Sequence, residues 1–171
     1  EPDEILPPSK IRNSNSYQLI AQAQRMGCEA LYMGIAKDTP EALDVMVKKA
    51  FDLADIVLLS GGVSMGDYDF VPQILAENGV DIKFQKVAIQ PGKPTLFGKL
   101  NNKFVFGLPG NPVSSFTLFE LLVKPFVYSV MGYQYKPINL WLPMANEVNR
   151  KKTERDKWVP AIINDEGKVE E

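Results

Sequence analysis

The segment from Ser60 to Asp69 combines glycines, hydroxyl groups and carboxylates in the order SGGVSMGDYD. Glycines let the backbone approach a ligand and expose amide N–H groups, and a helix that follows adds the positive end of its dipole. These features favour phosphate binding, with Ser60 and Ser64 as further donors. No lysine follows the glycines, so the segment is not a P-loop, and its spacing is not GxGxxG. A plain glycine-rich turn between a strand and a helix is the structural alternative.

Three carboxylates, those of Asp38, Asp67 and Asp69, lie beside predicted helix starts. Each could cap a helix, because a side-chain oxygen there accepts hydrogen bonds from free backbone N–H groups. A carboxylate beside a phosphate is otherwise repelled. It becomes favourable when a divalent cation joins the two, and Mg²⁺ prefers such oxygen ligands.

Two lysines and one asparagine are the remaining candidates for ligand contacts. Lys86 lies between Phe84 and Ala88 on one face of a predicted strand, where its ammonium group loses hydration unless it meets an anion or a carboxylate. A lysine at the sheet edge that keeps its ammonium group in water is the alternative. Lys93 lies between a glycine and a proline in a rigid loop, which makes it a second anion candidate. Asn111 lies between Gly and Pro, so its amide is held in place to contact a polar edge of a ligand.

Alternating helices and strands position these residues. Capping residues and amphipathic spacing predict helices over about 14–26, 40–53, 69–76 and 113–131, the last kinked or split at Pro125. Apolar runs predict strands over 28–35, 55–60, 82–89, 95–100 and 103–106, with Asn101-Asn102 as a hairpin turn. This order predicts an α/β fold, a three-layer doubly wound and mostly parallel sheet. Ligands bind beyond the carboxyl ends of such strands, so four loops are expected to form one site.

The pattern changes after Gly132. Residues 139–144 and 158–163 are predicted to be β segments, joined by a charged stretch. We therefore expect an α/β domain over 1–133 and the start of a small β domain over 134–171.

Composition excludes several classes of function. The 171 residues carry 19 basic and 21 acidic side chains, and a net charge of −2 gives no overall attraction to nucleic acid or anionic lipid. The absence of histidine excludes histidine-based catalysis and metal binding. A single cysteine, Cys28, excludes an internal disulfide and fits a reducing cytosol. No apolar run approaches the roughly 20 residues that span a bilayer, so a cytoplasmic protein without a membrane is expected.

Three long motifs resemble successive motifs of the molybdopterin molybdenumtransferase family, which includes a domain of gephyrin. They are SGGVSMGDYDF from Ser60, KVAIQPGKP from Lys86 and GLPGNPVS from Gly107. Shorter segments, IRNSN from Ile11 and DTPEAL from Asp38, also match. The likeness covers about residues 5–132 in order.

The resemblance implies the molybdopterin-binding fold and a reaction. Members of this family take adenylylated molybdopterin and molybdate and, with Mg²⁺, release AMP and the molybdenum cofactor. Asp69 would then hold the metal, Asp38 would place the ligand or the metal, and Lys86 would meet phosphate or molybdate charge, giving three catalytic candidates. The other implied contacts bind phosphate, pterin or oxyanion: Ser60, Gly61, Gly62, Ser64, Gly92, Lys93, Pro109, Gly110, Asn111 and Ser114.

The chain also departs from the family pattern. Gln90 stands where many relatives have a lysine, and Pro160 stands near the position of an arginine that relatives carry. Relatives have a strand ending in Gly-x-Glu before the position of Glu1, so the chain is expected to be a fragment that is poorly active alone. The resemblance also implies a homodimer and, as a possible partner, the molybdopterin adenylyltransferase.

Two other functions stay open for this fold. A non-catalytic scaffold would need a linker or a partner-binding segment, and none is visible. Molybdopterin adenylylation typically comes with a Gly-Gly-Thr-Gly loop, where this chain has Gly61-Gly62-Val63-Ser64.

Overall fold

A four-stranded sheet covered by helices on both faces forms the centre of this computed structural model. The structure describes residues 1, 3, 5, 7–8, 10–63, 69–150 and 152–171. Ser64 and Asp67, two of the predicted site residues, lie outside the described residues. The helices are α1 (Asn15–Arg25), α2 (Pro40–Leu53), α3 (Val71–Glu77), α4 (Pro112–Leu118) and α5 (Lys124–Val130). The strands are β1 (Ile56–Ser60), β2 (Asp81–Lys86), β3 (Ile89–Gln90), β4 (Pro94–Leu100), β5 (Lys103–Leu108), β6 (Asp156–Lys157), β7 (Ile162–Ile163) and β8 (Val169–Glu170).

The strand order of the main sheet is β1-β5-β4-β2. β1 and β5 pair in parallel, whereas β4 pairs antiparallel with both β5 and β2. The predicted hairpin is confirmed: β4 and β5 are joined through Asn101-Asn102, and Asn101 has a φ of 53°. Such a short connection can only join antiparallel strands, which is why the hairpin adds antiparallel pairs beside the parallel one.

Alternating side chains of the central strands feed two separate cores. Val57 and Val105 pack with α2 and α3 on one face, while Phe106 and Leu108 pack with α1 and the helices after residue 112 on the other. Neighbouring residues of a strand point to opposite faces, so one apolar strand serves both cores. The three-layer α/β arrangement is therefore confirmed.

One continuous helix runs from Pro112 to Val130 and changes its geometry before Pro125. Residues Phe119–Val123 form a π-helical stretch between α4 and α5. Proline has no N–H to donate to the preceding turn, so the regular hydrogen-bond ladder is interrupted there. The predicted disruption at Pro125 thus takes the form of a widened turn inside a continuous helix.

This helix of 19 residues is long and apolar enough to cross a bilayer, by length and composition alone. The sequence-based statement that no apolar stretch approaches that length was therefore wrong. Leu118, Phe119, Val123 and Val127 of the helix are buried in the second core. Packing against the sheet accounts for its apolar character.

Two strand predictions were wrong. Residues 28–35 form no strand, because no described segment supplies ladder hydrogen bonds to them, although Met33 packs on the first core. Residues 139–144 and 158–163 also lack the expected long strands. The described β structure there is limited to the two-residue strands β6, β7 and β8 and a bridge between Met144 and Val169. Their large apolar residues are mostly exposed, so burial provides no force for longer pairing.

A polar contact joins α1 to the long helix. The buried side chain of Gln22 donates to the carboxylate of Glu120 at 3.0 Å, and Lys124 forms an ion pair with the same carboxylate at 2.6 Å. Partial burial raises the pKa of Glu120, but hydrogen bonds from Lys124 and Gln22 outweigh it and hold that pKa below the usual 4.5. A carboxylate with a lowered pKa stabilises the folded state above its unfolded pKa.

We expect the stability difference between the wild type and Glu120→Gln to depend on pH. The wild type should be more stable at pH 7 by at most about 1 kcal/mol, because the pair is partly exposed. The difference should vanish as the pH falls below 4.5 through the lowered folded pKa. Urea unfolding at pH 7, 5 and 3 measures it. Glu29→Gln, at an exposed carboxylate without a hydrogen bond to any described residue, is the control and should show no such trend. A difference independent of pH would contradict this account.

Candidate anion-binding site

One edge of the sheet collects the ends of all four main strands. Ser60 ends β1 opposite Leu108, which ends β5, and Leu96 of β4 pairs with Gly107 of β5. On the far side Lys86 ends β2 opposite Pro94, which begins β4. Three of the four predicted loops therefore lie along this edge, which we call the rim. With strands about 4.8 Å apart, the β1 and β2 ends of the rim are roughly 14 Å apart.

Two glycine loops meet at the β1 end of the rim. The Gly61 N–H donates to the Leu108 carbonyl at 2.9 Å, and a Cβ placed on Gly110 would lie 3.7 Å from the Gly61 Cα. Gly61 and Gly62 have φ values of 87° and 65°, which favour glycine. A Cβ on Gly62 would lie 3.0 Å from a methyl group of Val71, at the start of α3. The predicted convergence of the Ser60 and Gly107 loops is therefore present.

The backbone carbonyls of Pro109 to Pro112 are all held by the protein. The buried hydroxyl of Ser115 donates its proton to the Pro109 carbonyl, and the Ser115 N–H donates to the Asn111 carbonyl at 2.9 Å. The amide of Asn15 donates to the Gly110 carbonyl at 2.9 Å. Gln18 donates to the Pro112 carbonyl at 3.2 Å. These donors from α1 and α4 fix the orientation of consecutive peptide planes.

The N–H groups of this loop therefore point away from the protein. In a trans peptide the carbonyl and the following N–H point in opposite directions, and among the described residues the one cis bond is Gln90–Pro91. Holding the Pro109 and Gly110 carbonyls inward turns the N–H groups of Gly110 and Asn111 outward. Those two, and that of Gly62, have no hydrogen-bond partner among the described residues. These three amide donors on two touching loops are the candidate contacts for an anion such as phosphate.

The structure gives Asn111 and Ser114 structural roles besides the ligand contacts predicted from the sequence. The Asn111 side-chain oxygen caps α4 by accepting from the N–H groups of Val113 at 3.0 Å and Ser114 at 3.2 Å. Only the NH₂ group of Asn111 therefore remains for a ligand, and this residue is exposed. Ser114 and Pro109 are buried beneath the loop. Their positions support the loop instead of lining its outer surface.

Asn15 is a site residue that the sequence analysis did not single out by its chemistry. It lies at the start of α1, and its NH₂ group donates to the Ser60 hydroxyl at 2.7 Å as well as to Gly110. Its segment IRNSN was noted for its resemblance, but helix capping explained the asparagines equally well. Contacts 45 and 95 residues away along the chain have no local sequence signal.

The β2 end of the rim carries positive charge. Lys86 ends β2, and Lys93 directly precedes β4. The Val87 N–H donates to the Lys93 carbonyl at 3.0 Å, and both lysines are exposed. The premise that Lys86 is desolvated was wrong, because β2 is the edge strand of the described sheet. A further cation, Lys157 of β6, pairs with Gln90 of β3 in a parallel ladder. The segment after residue 133 therefore also reaches this end of the rim.

Gly92 is a packing residue of the Lys93 loop. It is buried with a φ of 126°, and its carbonyl accepts from the buried Thr95 hydroxyl at 2.7 Å. A Cβ on Gly92 would lie 2.5 Å from the Cδ1 of Leu118, which is fully buried. Gly92 thus lets the loop rest on α4 and leaves Lys93 at the surface.

The two carboxylates predicted to be catalytic are differently placed. Asp69 precedes α3 by two residues, and Val71 of that helix packs on Gly62. Asp38 is exposed, and no hydrogen bond or ion pair joins it to the described residues of the rim. It does not cap α2, because the Thr39 hydroxyl accepts from the Ala42 N–H at 3.3 Å.

The described residues contain no group of three or more acidic, histidine or cysteine side chains that could hold a metal ion. A Mg²⁺ ion here would therefore have one carboxylate as its protein ligand, and phosphate and water oxygens would complete its coordination shell.

Comparison with known proteins identifies relatives. Residues 2–129 match the family described as "Probable molybdopterin binding domain". The chain is 43% identical over 122 residues to the molybdopterin molybdenumtransferase of Bacillus subtilis, covering 71% of this chain and 28% of that protein. It is 41% identical over 133 residues to the enzyme of the same name from Staphylococcus aureus, covering 76% of this chain and 31% of that protein. The chain thus spans about a third or less of the length of these relatives.

A solved structure shares the fold. The molybdopterin biosynthesis MoeA protein from Pyrococcus horikoshii superposes with a TM-score of 0.70 at 36% identity. The alignment covers 79% of this chain and 33% of that protein.

We expect Gly92→Ala to destabilise the fold by about 1–3 kcal/mol more than Gly27→Ala, because it places a methyl group against a buried leucine. Gly27 is the matched control: its φ is also positive, at 82°, but a Cβ there has nothing within 4 Å. Urea unfolding of the two variants measures the difference. Equal losses of unfolding free energy would show that Gly92 is needed only for its φ.

Proposed function

Because the chain belongs to the family of probable molybdopterin-binding domains, confirming the resemblance of its motifs, we propose that it binds adenylylated molybdopterin along the rim. In the whole protein this domain would insert molybdenum from molybdate into molybdopterin and release AMP. The observation that carries the proposal is the pair of outward N–H groups of Gly110 and Asn111, beside the Gly62 N–H of the touching loop, which has no hydrogen-bond partner among the described residues.

The two ends of the rim suit different parts of such a ligand. The N–H groups at the β1 end bind phosphate oxygens without bringing a full positive charge. Lys86 and Lys93, roughly 14 Å away along the strand ends, supply positive charge for a second anionic group. An elongated molecule with a nucleotide at one end and a pterin at the other can reach both. We assign molybdate to the lysine end, because an oxyanion of its charge is held best by ammonium groups.

The chemistry of the domain would be positioning and charge stabilisation. A water oxygen attacks the phosphate phosphorus on the molybdopterin side and loses a proton to solvent as the phosphoanhydride bond breaks. Negative charge develops on the departing phosphate oxygen of AMP. N–H groups that are already oriented stabilise this charge without reorganisation. Mg²⁺, bound by Asp69 together with phosphate oxygens, would neutralise part of the same charge. No covalent nucleophile from the protein is required.

Several finer points belong to the same proposal. The protein would be cytoplasmic and would act as a homodimer, and the molybdopterin adenylyltransferase would hand over its product directly. Asp38, in the loop before α2, would help to place the ligand or the metal. Of the alternatives, adenylylation of molybdopterin is disfavoured by the Gly61-Gly62-Val63 loop, and a scaffold role gives no reason for oriented amide donors.

We expect Asp69→Asn, in the whole polypeptide, to lower the Mg²⁺-dependent release of AMP at least 100-fold, by loss of charge stabilisation. Release of AMP on addition of molybdate is followed by chromatography over a range of Mg²⁺ concentrations. Asp52→Asn is the matched control, since Asp52 lines a cavity of about 350 Å³ near the Asn101-Asn102 hairpin, at the opposite edge of the sheet. Near-normal release by Asp69→Asn would remove the metal assignment. An absence of AMP release by the wild type would refute the function itself.

A further inference from the structure

One face of α1 carries a row of three amides. Asn15, Gln18 and Gln22 are spaced at helical intervals, so their side chains lie along one side of the helix. Each donates to a backbone carbonyl of the segment that follows β5: Gly110 at 2.9 Å, Pro112 at 3.2 Å and Phe116 at 3.3 Å, in the same order. The row docks α1 against the loop of the candidate site.

Asn15 differs from the other two because it also contacts the second loop. Its NH₂ group donates to the Ser60 hydroxyl oxygen at 2.7 Å. A single amide therefore joins the Ser60 loop to the Gly110 loop, at the point where the Gly61 and Gly110 backbones touch. Gln18 contacts only the loop that contains Gly110, through the Pro112 carbonyl.

The orientation of the Asn15 amide is fixed by its partners. Exchanging its nitrogen and oxygen would place the oxygen against the Gly110 carbonyl, two acceptors facing each other. In the orientation present, the Asn15 oxygen is buried and has no hydrogen-bond partner among the described residues. A buried acceptor without a donor destabilises a fold, so the NH₂ contacts are retained at a cost.

The bond from Asn15 determines what the Ser60 hydroxyl can do. A hydroxyl has one proton to donate, and an oxygen that already accepts a bond becomes a stronger donor. The acceptor of Ser60 among the described residues is the Pro109 carbonyl at 3.5 Å, which is long for an O–H bond, and Ser115 already donates to that carbonyl. The exposed Ser60 hydroxyl is thus left to donate its proton outward.

We propose that Asn15 is a positioning residue for the anionic ligand, acting through the Ser60 hydroxyl and the Gly110–Asn111 peptide. By donating to Ser60 it turns that hydroxyl into a donor toward phosphate. By holding the Gly110 carbonyl it keeps the Asn111 N–H pointing to the same place. This inference rests on the proposed function, since it assumes a phosphate at the β1 end of the rim.

The test is a double-mutant cycle measured with AMP as the probe. Calorimetric titration gives the AMP affinity of the 171-residue chain and of Asn15→Ala, Ser60→Ala and the double variant. We expect Asn15→Ala to weaken AMP binding about tenfold and Ser60→Ala about fivefold, as for loss of one or two hydrogen bonds to a charged group. The double variant should lose clearly less than the product of the two, because the residues act through one another. Gln18→Ala, which removes one amide from the same row, should change the affinity less than twofold.

Melting temperatures separate positioning from stability. Asn15→Ala and Gln18→Ala each remove one amide of the row and should both lower the melting temperature, whereas only Asn15→Ala should weaken AMP binding clearly. Asn15→Asp places a carboxylate oxygen against the Gly110 carbonyl, two acceptors facing each other, and should lower the melting temperature as well. The carboxylate would accept the Ser60 proton, and AMP affinity should fall further than in Asn15→Ala. Losses that multiply in the double variant, or equal affinities for Asn15→Ala and Gln18→Ala, would overturn the inference while leaving the proposed function standing. A wild-type chain that fails to bind AMP would instead refute the proposed function, and the role of Asn15 with it.

Discussion

The orientation of the peptide planes between Pro109 and Pro112 is the constraint on which the candidate site depends. Four carbonyls in succession are held by donors of α1 and α4, three by side chains and that of Asn111 by the Ser115 N–H. Because a trans peptide is planar, the Pro109 and Gly110 carbonyls that are held inward turn the N–H groups of Gly110 and Asn111 outward. Water would satisfy such N–H groups in an ordinary surface loop. Here they lie beside the loop after β1, and we propose that they attract an anion without a charged side chain.

The rest of the fold serves to bring this loop to the correct place. The parallel pair β1 and β5 places two loops side by side. Because β4 runs antiparallel to β5, it begins at the edge where β5 ends, so the Lys93 loop lies along the same edge. Both faces of the sheet are buried, which fixes the register of each strand and therefore the relative heights of the loops. The buried Gly92 packs against Leu118 of α4, at the lysine end of the rim. The first turn of the same helix follows the loop at the other end of the rim. The result is one elongated surface with amide donors at one end and ammonium groups at the other.

Local signals made the helices α1 and α2, the hairpin and the glycine-rich loops predictable from the sequence. Their determinants lie within a few residues: a proline at the first turn of α2, two asparagines at the hairpin and glycines after strands. Strand 28–35 was predicted wrongly because an apolar run gives no information about whether a partner strand is present. The burial of Lys86 was predicted wrongly for a related reason, because the residues next to it in the sequence do not indicate that β2 is an edge strand. Asn15 was missed because its partners are distant in sequence and meet it only through the packing of α1.

The most direct test of the central claim is the response of backbone amides to AMP, followed by ¹⁵N–¹H NMR titration of the chain. The N–H groups of Gly62, Gly110 and Asn111 should shift downfield as they form hydrogen bonds to phosphate, and adenosine without phosphate should not produce these shifts. Unchanged signals of these three residues, with the largest shifts at the opposite edge of the sheet near Asn101-Asn102, would contradict the account.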